Sequence, residues 1–187
     1  TASHDLRQPL QTLQLLNAAL ARRLAGPGEL DLIHRQQAAL ESMANLLNAL
    51  LDITKLESGN IRPNLEVVPV ADVLADLQQQ FEAVATARNL ALTIAPTSLC
   101  LRTDRILFRQ VLQNLLNNAL QYTREGGVTV SFGEDATGFS IRIADTGVGI
   151  PAPELDRVFD EYYRLDATGP RPRGFGLGLT IVRQISR

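Results

Sequence analysis

Apolar residues over the first fifty positions recur with a helical period. Leu6, Leu10, Leu13, Leu16, Leu20 and Leu24 form one stripe from Ser3 to Leu24. Pro9 sits inside it, removes an N–H and is expected to bend the first turns. Gly26-Pro-Gly28 breaks the pattern. A second stripe follows with Leu40, Met43, Leu47 and Leu50, flanked by Leu46 and Ile53. Two amphipathic helices around a short break predict an αα-hairpin. Stripes this wide are not covered by two helices alone, so a second copy is expected to complete a four-helix bundle as a homodimer. Glu57-Ser-Gly-Asn60 has the polar, glycine-bearing character of a linker and predicts a domain boundary, dividing the chain into 1–57 and 58–187.

Beyond the linker, strands alternate with helices. Leu65–Val68 reads as a short strand. Val70–Arg88 reads as a helix burying Val73, Leu74, Leu77, Phe81 and Val84. Leu90–Ile94 alternates like a strand, and Leu99–Leu101 is a further candidate. Asp104 is placed to cap a long helix ending at Tyr122, with Leu107, Val111, Leu112, Leu115, Leu116 and Ala119 on its apolar face. Val128–Phe132 and Phe139–Ile143 alternate on either side of a glycine-bearing gap, which predicts an antiparallel hairpin. The stretch from Ile150 to Gly174 has little periodicity and reads as a long functional loop, a lid over a ligand. The expected fold class is α+β: a helical hairpin followed by an α/β sandwich.

Composition narrows the function classes. At 187 residues, with 45% hydrophobic residues, the chain can bury a sizeable core. A formal net charge of −2 gives no reason to expect nucleic acid or an anionic membrane as partner. No apolar run approaches a membrane span and no signal peptide is visible, so this segment is expected to be cytoplasmic, without membrane contact. The single Cys100 excludes an internal disulfide framework. Lying between Leu99 and Leu101, it is expected to be a buried structural thiol. The chain starts abruptly at Thr1 and stops inside a helical pattern at Arg187, so it reads as a piece of something longer.

Candidate chemistry gathers around two glycine clusters. The strand-like run 139–144 delivers Asp145 into Thr146-Gly-Val-Gly149, and Gly174-Phe-Gly-Leu-Gly178 runs into a helical pattern. Glycines admit close backbone approach, and the free N–H groups at a helix start favour phosphate oxygens. An acid for the base and glycines for the phosphates point to a nucleotide. Taken alone, Asp145 is equally an Asx-turn after a strand. The long helix adds Asn114 and Asn118, four residues apart on one face. Their amide oxygens suit a hard cation such as Mg²⁺, although two exposed or capping amides would look the same in sequence.

At these residues the chain resembles sensor histidine kinases. Phe108–Thr123 is similar to their N box, Asp145–Gly149 to their first glycine box, Phe159–Tyr163 to their F box and Gly174–Gly178 to their second glycine box. His4-Asp-Leu-Arg-Gln-Pro9 resembles their H box. The five motifs stand in family order over almost the whole chain. The resemblance implies a homodimeric helical hairpin and an ATP domain of the histidine kinase, chaperone and gyrase type. It implies that His4 is phosphorylated by ATP, that Asp5 takes or orients the ring proton, and that a response-regulator aspartate then receives the phosphoryl group. Gln8 would orient water for a phosphatase reaction on that regulator. Asn118 would coordinate Mg²⁺ with Asn114 beside it, and Asp145 would accept from the adenine amino group. Gly147 and Gly149 would give room for the base, with Tyr122 near it, and Gly174, Gly176 and Gly178 would shape the phosphate end.

The chain departs from the family at Gln121, where Lys or Arg is frequent, at Tyr162, which replaces the second F-box Phe, and in lacking two further strands after the second glycine box. Asn114 stands where hydrolytic relatives carry a general-base Glu, which favours transfer to His4 over ATP hydrolysis. An ATPase of the same superfamily, or a catalytically weak dimeric scaffold that binds a response regulator, are the competing readings. His34 matches no motif and is expected to be a surface residue.

Overall fold

The computed structural model describes residues 2–21, 27–57, 63–135, 138–165 and 175–186. Two helices, α1 (Ala2–Ala21) and α2 (Pro27–Glu57), form the hairpin. Proline opens α2, a position where its fixed φ fits and its missing N–H costs no hydrogen bond. Gly28 therefore lies inside α2 rather than in the break. The hairpin register is pinned by buried Asn17, whose Nδ2 donates to Ile33 O at 3.3 Å and to Gln37 Oε1 at 3.0 Å. Leu13, Leu16 and Leu20 remain about half exposed in the single chain, at 47%, 56% and 48%, so the hairpin alone leaves an apolar stripe uncovered.

The second part is a layered α/β unit. Strand β1 (Glu66–Pro69) leads into α3 (Val70–Ala87), then β2 (Ala91–Ile94), β3 (Cys100–Thr103), α4 (Arg105–Tyr122) and the hairpin of β4 (Gly127–Asp135) and β5 (Gly138–Asp145). Strands β1 and β3 pair antiparallel, Val68 opposite Leu101. The larger sheet runs β2-β4-β5, with β2 parallel and β5 antiparallel to β4. One core joins Val73, Leu77 and Phe81 of α3 to Leu112 and Leu116 of α4 and Val128 and Val130 of β4. The apolar stripe of α3 continues through Ala85, while Val84 is 44% exposed, contrary to the sequence expectation. Helical spacing from Phe81 reaches both 84 and 85, and the smaller residue is the one that faces the sheet.

Cys100 also departs from expectation: it is exposed. Residues alternate in β3, with Leu101 and Thr103 turned inward and Cys100 and Arg102 outward, so flanking leucines mark the opposite face. After β5 come two short 3₁₀ turns, Ala152–Glu154 and Arg157–Phe159, and then α5 (Gly178–Ile185). Helix α5 packs on both halves of the molecule. It lies along α4, and Leu177 and Ile181 bury against Leu46, Ala49 and Leu50 of α2, with Phe175 and Ile185 at the margin. Among the described residues no helix is long and apolar enough to cross a membrane.

Candidate active site

Helix α4 is held at both ends. Asp104 caps its start: Oδ1 accepts from the N–H groups of Ile106 at 2.9 Å and Leu107 at 3.0 Å. Its Oδ2 accepts from Asn64 N at 2.8 Å, which ties the segment after the linker to this cap. The Leu107 hydrogen bond, opposed by partial burial and helped by the bonds from Asn64 and Ile106, holds the Asp104 carboxyl below its ordinary value of 3.8. At the other end, Arg88 donates to the carbonyls of Leu120 and Gln121, two of the orphan acceptors of the last turn. Buried Thr123 closes that turn through Oγ1 to Ala119 O at 2.7 Å.

This rigid helix carries the amide pair. Asn114 Nδ2 donates back to Gln110 O at 2.9 Å, so its Oδ1 is the atom turned outward. A Cβ added at Gly178 would lie 3.2 Å from Asn114 Oδ1 and 3.8 Å from Asn118 Oδ1. Both amide oxygens thus converge on the first residue of α5, where a side chain would intrude. A helix start beside two amide oxygens is chemically suited to a phosphate group and an oxygen-seeking cation. Among the described residues no group of three or more His, Cys, Asp or Glu could hold a metal.

The residues expected to meet the base lie at the end of β5. Asp145 Oδ1 accepts from Gly147 N at 2.8 Å, the Asx-turn that is one reading of the sequence, and the second carboxylate oxygen keeps its acceptor capacity. A Cβ at Gly147 would sit 2.7 Å from Tyr122 O, so glycine is what lets the β5 turn close on the end of α4. Gly149 has φ +68 and open space around it. Tyr122 is 40% exposed beside this turn. Thr146, which was not singled out in the sequence, fixes the turn from the other side. Its hydroxyl donates to Glu125 O at 2.7 Å and accepts from Gly127 N at 3.0 Å.

Of the expected site residues, Asn114, Asn118, Gly176 and Gly178 gather at one end, and Tyr122, Asp145, Gly147 and Gly149 at the other. Gly174 lies outside the described residues. His4, Asp5 and Gln8 lie on the first turns of α1, where only the backbone is described. The register set by Asn17 against Ile33 and Gln37 puts the His4 turn level with the α2 turn around Asn48. That is the turn on which α5 docks through Leu46, Ala49 and Leu50. The start of α5 and the His4 level of the hairpin are therefore brought to the same height. This contact was not legible in sequence.

Comparison with known proteins agrees with this architecture. Residues 1–59 match the family model described as His Kinase A (phospho-acceptor) domain. Residues 103–187 match that of the histidine kinase-, DNA gyrase B-, and HSP90-like ATPase. The aerobic respiration control sensor protein ArcB of Escherichia coli is 30% identical over 193 residues, covering 100% of this chain and 25% of that protein. The sensor histidine kinase AtsR of Burkholderia thailandensis is 30% identical over 190 residues, covering 98% of this chain and 32% of its own length. The chain thus spans a quarter to a third of the length of these relatives. Among solved structures, full-length ShkA in complex with AMPPNP superposes with TM-score 0.80 at 24% identity, over 100% of this chain and 39% of that one. The Acinetobacter baumannii histidine kinase AdeS gives TM-score 0.68 at 24% identity, over 97% and 85% of the two chains. A phospho-acceptor hairpin followed by a gyrase- and HSP90-like ATPase unit, in that order and in this fold, places the chain in the sensor histidine kinase family as a catalytic core.

Proposed function

We propose that this chain autophosphorylates His4 with ATP and passes the phosphoryl group to an aspartate of a response-regulator receiver domain. The observation that carries the reading is the convergence of Asn114 and Asn118 on Gly178 at the start of α5, a helix that also packs on α2 at the level of His4. A neutral His4 ring nitrogen attacks the γ-phosphorus, the bond to the β,γ-bridging oxygen breaks and ADP leaves. Asp5 takes or orients the proton of the ring. Nothing in the Asn114–Asn118 pair can act as a strong base toward water, which favours transfer over hydrolysis.

Asp145 accepts from the adenine amino group through the oxygen not engaged by Gly147, and Tyr122, Gly147 and Gly149 frame the base. Asn118 holds Mg²⁺ with Asn114 beside it, and the cation when bound neutralises phosphate charge. Gly174, Gly176 and Gly178 form the phosphate end. The boundary between the two units falls near 57, the active form is a homodimer through the half-exposed α1 stripe, and Gln8, one turn after His4, orients water for dephosphorylation of the regulator.

Incubation with γ-labelled ATP and Mg²⁺ tests the reading. Wild type acquires acid-labile label, while His4→Ala binds nucleotide normally and acquires none. Stable label in His4→Ala refutes the nucleophile, and ATP hydrolysis without labelling favours an ATPase. With phosphorylated regulator added to the same preparations, Gln8→Ala should slow its decay; an unchanged decay removes the phosphatase role.

A further inference from the structure

The segment between the two glycine clusters contains a side-chain triangle that no motif predicts. Glu154 Oε2 accepts from the Tyr163 hydroxyl and lies 3.3 Å from Arg157 Nη1. The Arg157 guanidinium carbon stands 4.4 Å from the centroid of the Tyr163 ring. Each residue touches the other two. An exposed Glu–Arg pair alone would contribute little. Here the Glu154 side chain is only 27% exposed, its carboxylate takes two donors, and the guanidinium covers an aromatic face.

The triangle brackets a strained turn. Tyr162 has φ +60, a conformation that a tyrosine holds only when its surroundings impose it. The same turn is fastened to α5 by Thr180 Oγ1 donating to Phe159 O at 3.1 Å and by Arg183 Nη1 lying 3.7 Å from Asp160 Oδ1. Gly176, with φ +72, closes against it. A Cβ there would meet Tyr163 O at 2.6 Å and Tyr162 C at 2.9 Å. Two residues later is Gly178, facing Asn114 and Asn118.

We propose that Glu154, Arg157 and Tyr163 form a clasp that holds the Tyr162 turn and, through Gly176, sets the start of α5 opposite Asn114 and Asn118. Glu154 and Tyr163 are then positioning residues for the phosphate end of the nucleotide, and the base end does not depend on them. The inference rests on the nucleotide reading above. Charge-assisted hydrogen bonds to phosphate oxygens are made over a narrow range of distance, so a small displacement of the α5 N–H groups weakens them. The Asp145 turn follows β5 and closes on the end of α4 through Gly147 and Tyr122.

Calorimetric titration with ATP and with AMP, both with Mg²⁺, separates the two ends. In Tyr163→Phe and in Glu154→Gln, ATP affinity should fall about five- to tenfold while AMP affinity stays put, because one charge-assisted hydrogen bond is lost at the phosphate end. The double variant should lose less than the sum of the two single losses, since both weaken the Tyr163–Glu154 contact. The hydroxyl is tested from both sides, so either variant that folds decides. Equal losses for ATP and AMP, an unchanged ratio, or additive losses overturn the clasp. A wild type that binds ATP no better than AMP instead overturns the phosphate-site reading, before any variant is compared.

Discussion

Replacing Leu50 with alanine thins the contact between α5 and α2 without touching the nucleotide end. The change deletes about three carbons, each worth about 0.8 kcal/mol when fully buried. Leu50 is half buried among Ala49, Leu177 and Ile181, so about 1.2 kcal/mol of docking energy is lost. Since 1.4 kcal/mol is about tenfold, the docking equilibrium constant should fall about sevenfold, and if docking is otherwise balanced the docked population falls about fourfold. The assay is the initial rate of acid-labile labelling of His4 at saturating ATP. That rate should drop by the same factor while the KM for ATP holds, because Asn114, Asn118 and Asp145 are untouched. Ile185→Ala trims the same contact from the α5 side and should do likewise. An unchanged rate in both variants would show that the docked arrangement is not the one that reacts. A faster rate would show that the contact restrains the reaction.

Two further outcomes follow from single positions. Gly178→Ala keeps ordinary helix-start geometry but places a methyl 3.2 Å from Asn114 Oδ1; titration should show weakened Mg²⁺-dependent ATP binding with little change in thermal stability, and unaltered binding would remove the amide cradle from the site. Asp104→Ala should cost about 1 kcal/mol at neutral pH through loss of the α4 cap, read by urea denaturation. Because the folded carboxyl titrates below its ordinary 3.8, that stabilisation is complete above 3.8 and is lost as pH falls through the folded value. The difference between wild type and variant should therefore shrink in acid and not in alkali.

Local chemistry was the legible part. The Asp104 cap and the Tyr122 end of α4 were readable because an Asx side chain before an apolar stripe has one geometric use, and the structure shows both. The β4–β5 hairpin followed from alternation. Alternation also misled where it was not applied: neighbouring leucines argued for a buried Cys100, although a strand sends adjacent residues to opposite faces. At the site, the motif residues were legible, and the supports were not. Arg88 reaches the end of α4 from the C-terminal cap of the neighbouring α3, and Glu154 meets Tyr163 through turns that have no period to read. The docking of Leu177 and Ile181 on α2 joins stretches far apart in sequence, where periodicity reveals an apolar face and never its partner.

Asn17 has a mechanical consequence for anything that pushes on α1. Its amide nitrogen is satisfied only where Ile33 O and Gln37 Oε1 stand, and its Oδ1 is buried with no partner among the described residues. Sliding α1 along its axis by one residue, about 1.5 Å, would carry the amide away from both acceptors and bury a donor as well as an acceptor unpaired. At the Asn17 level the hairpin therefore resists sliding of α1 along α2, and its register is fixed by one buried amide.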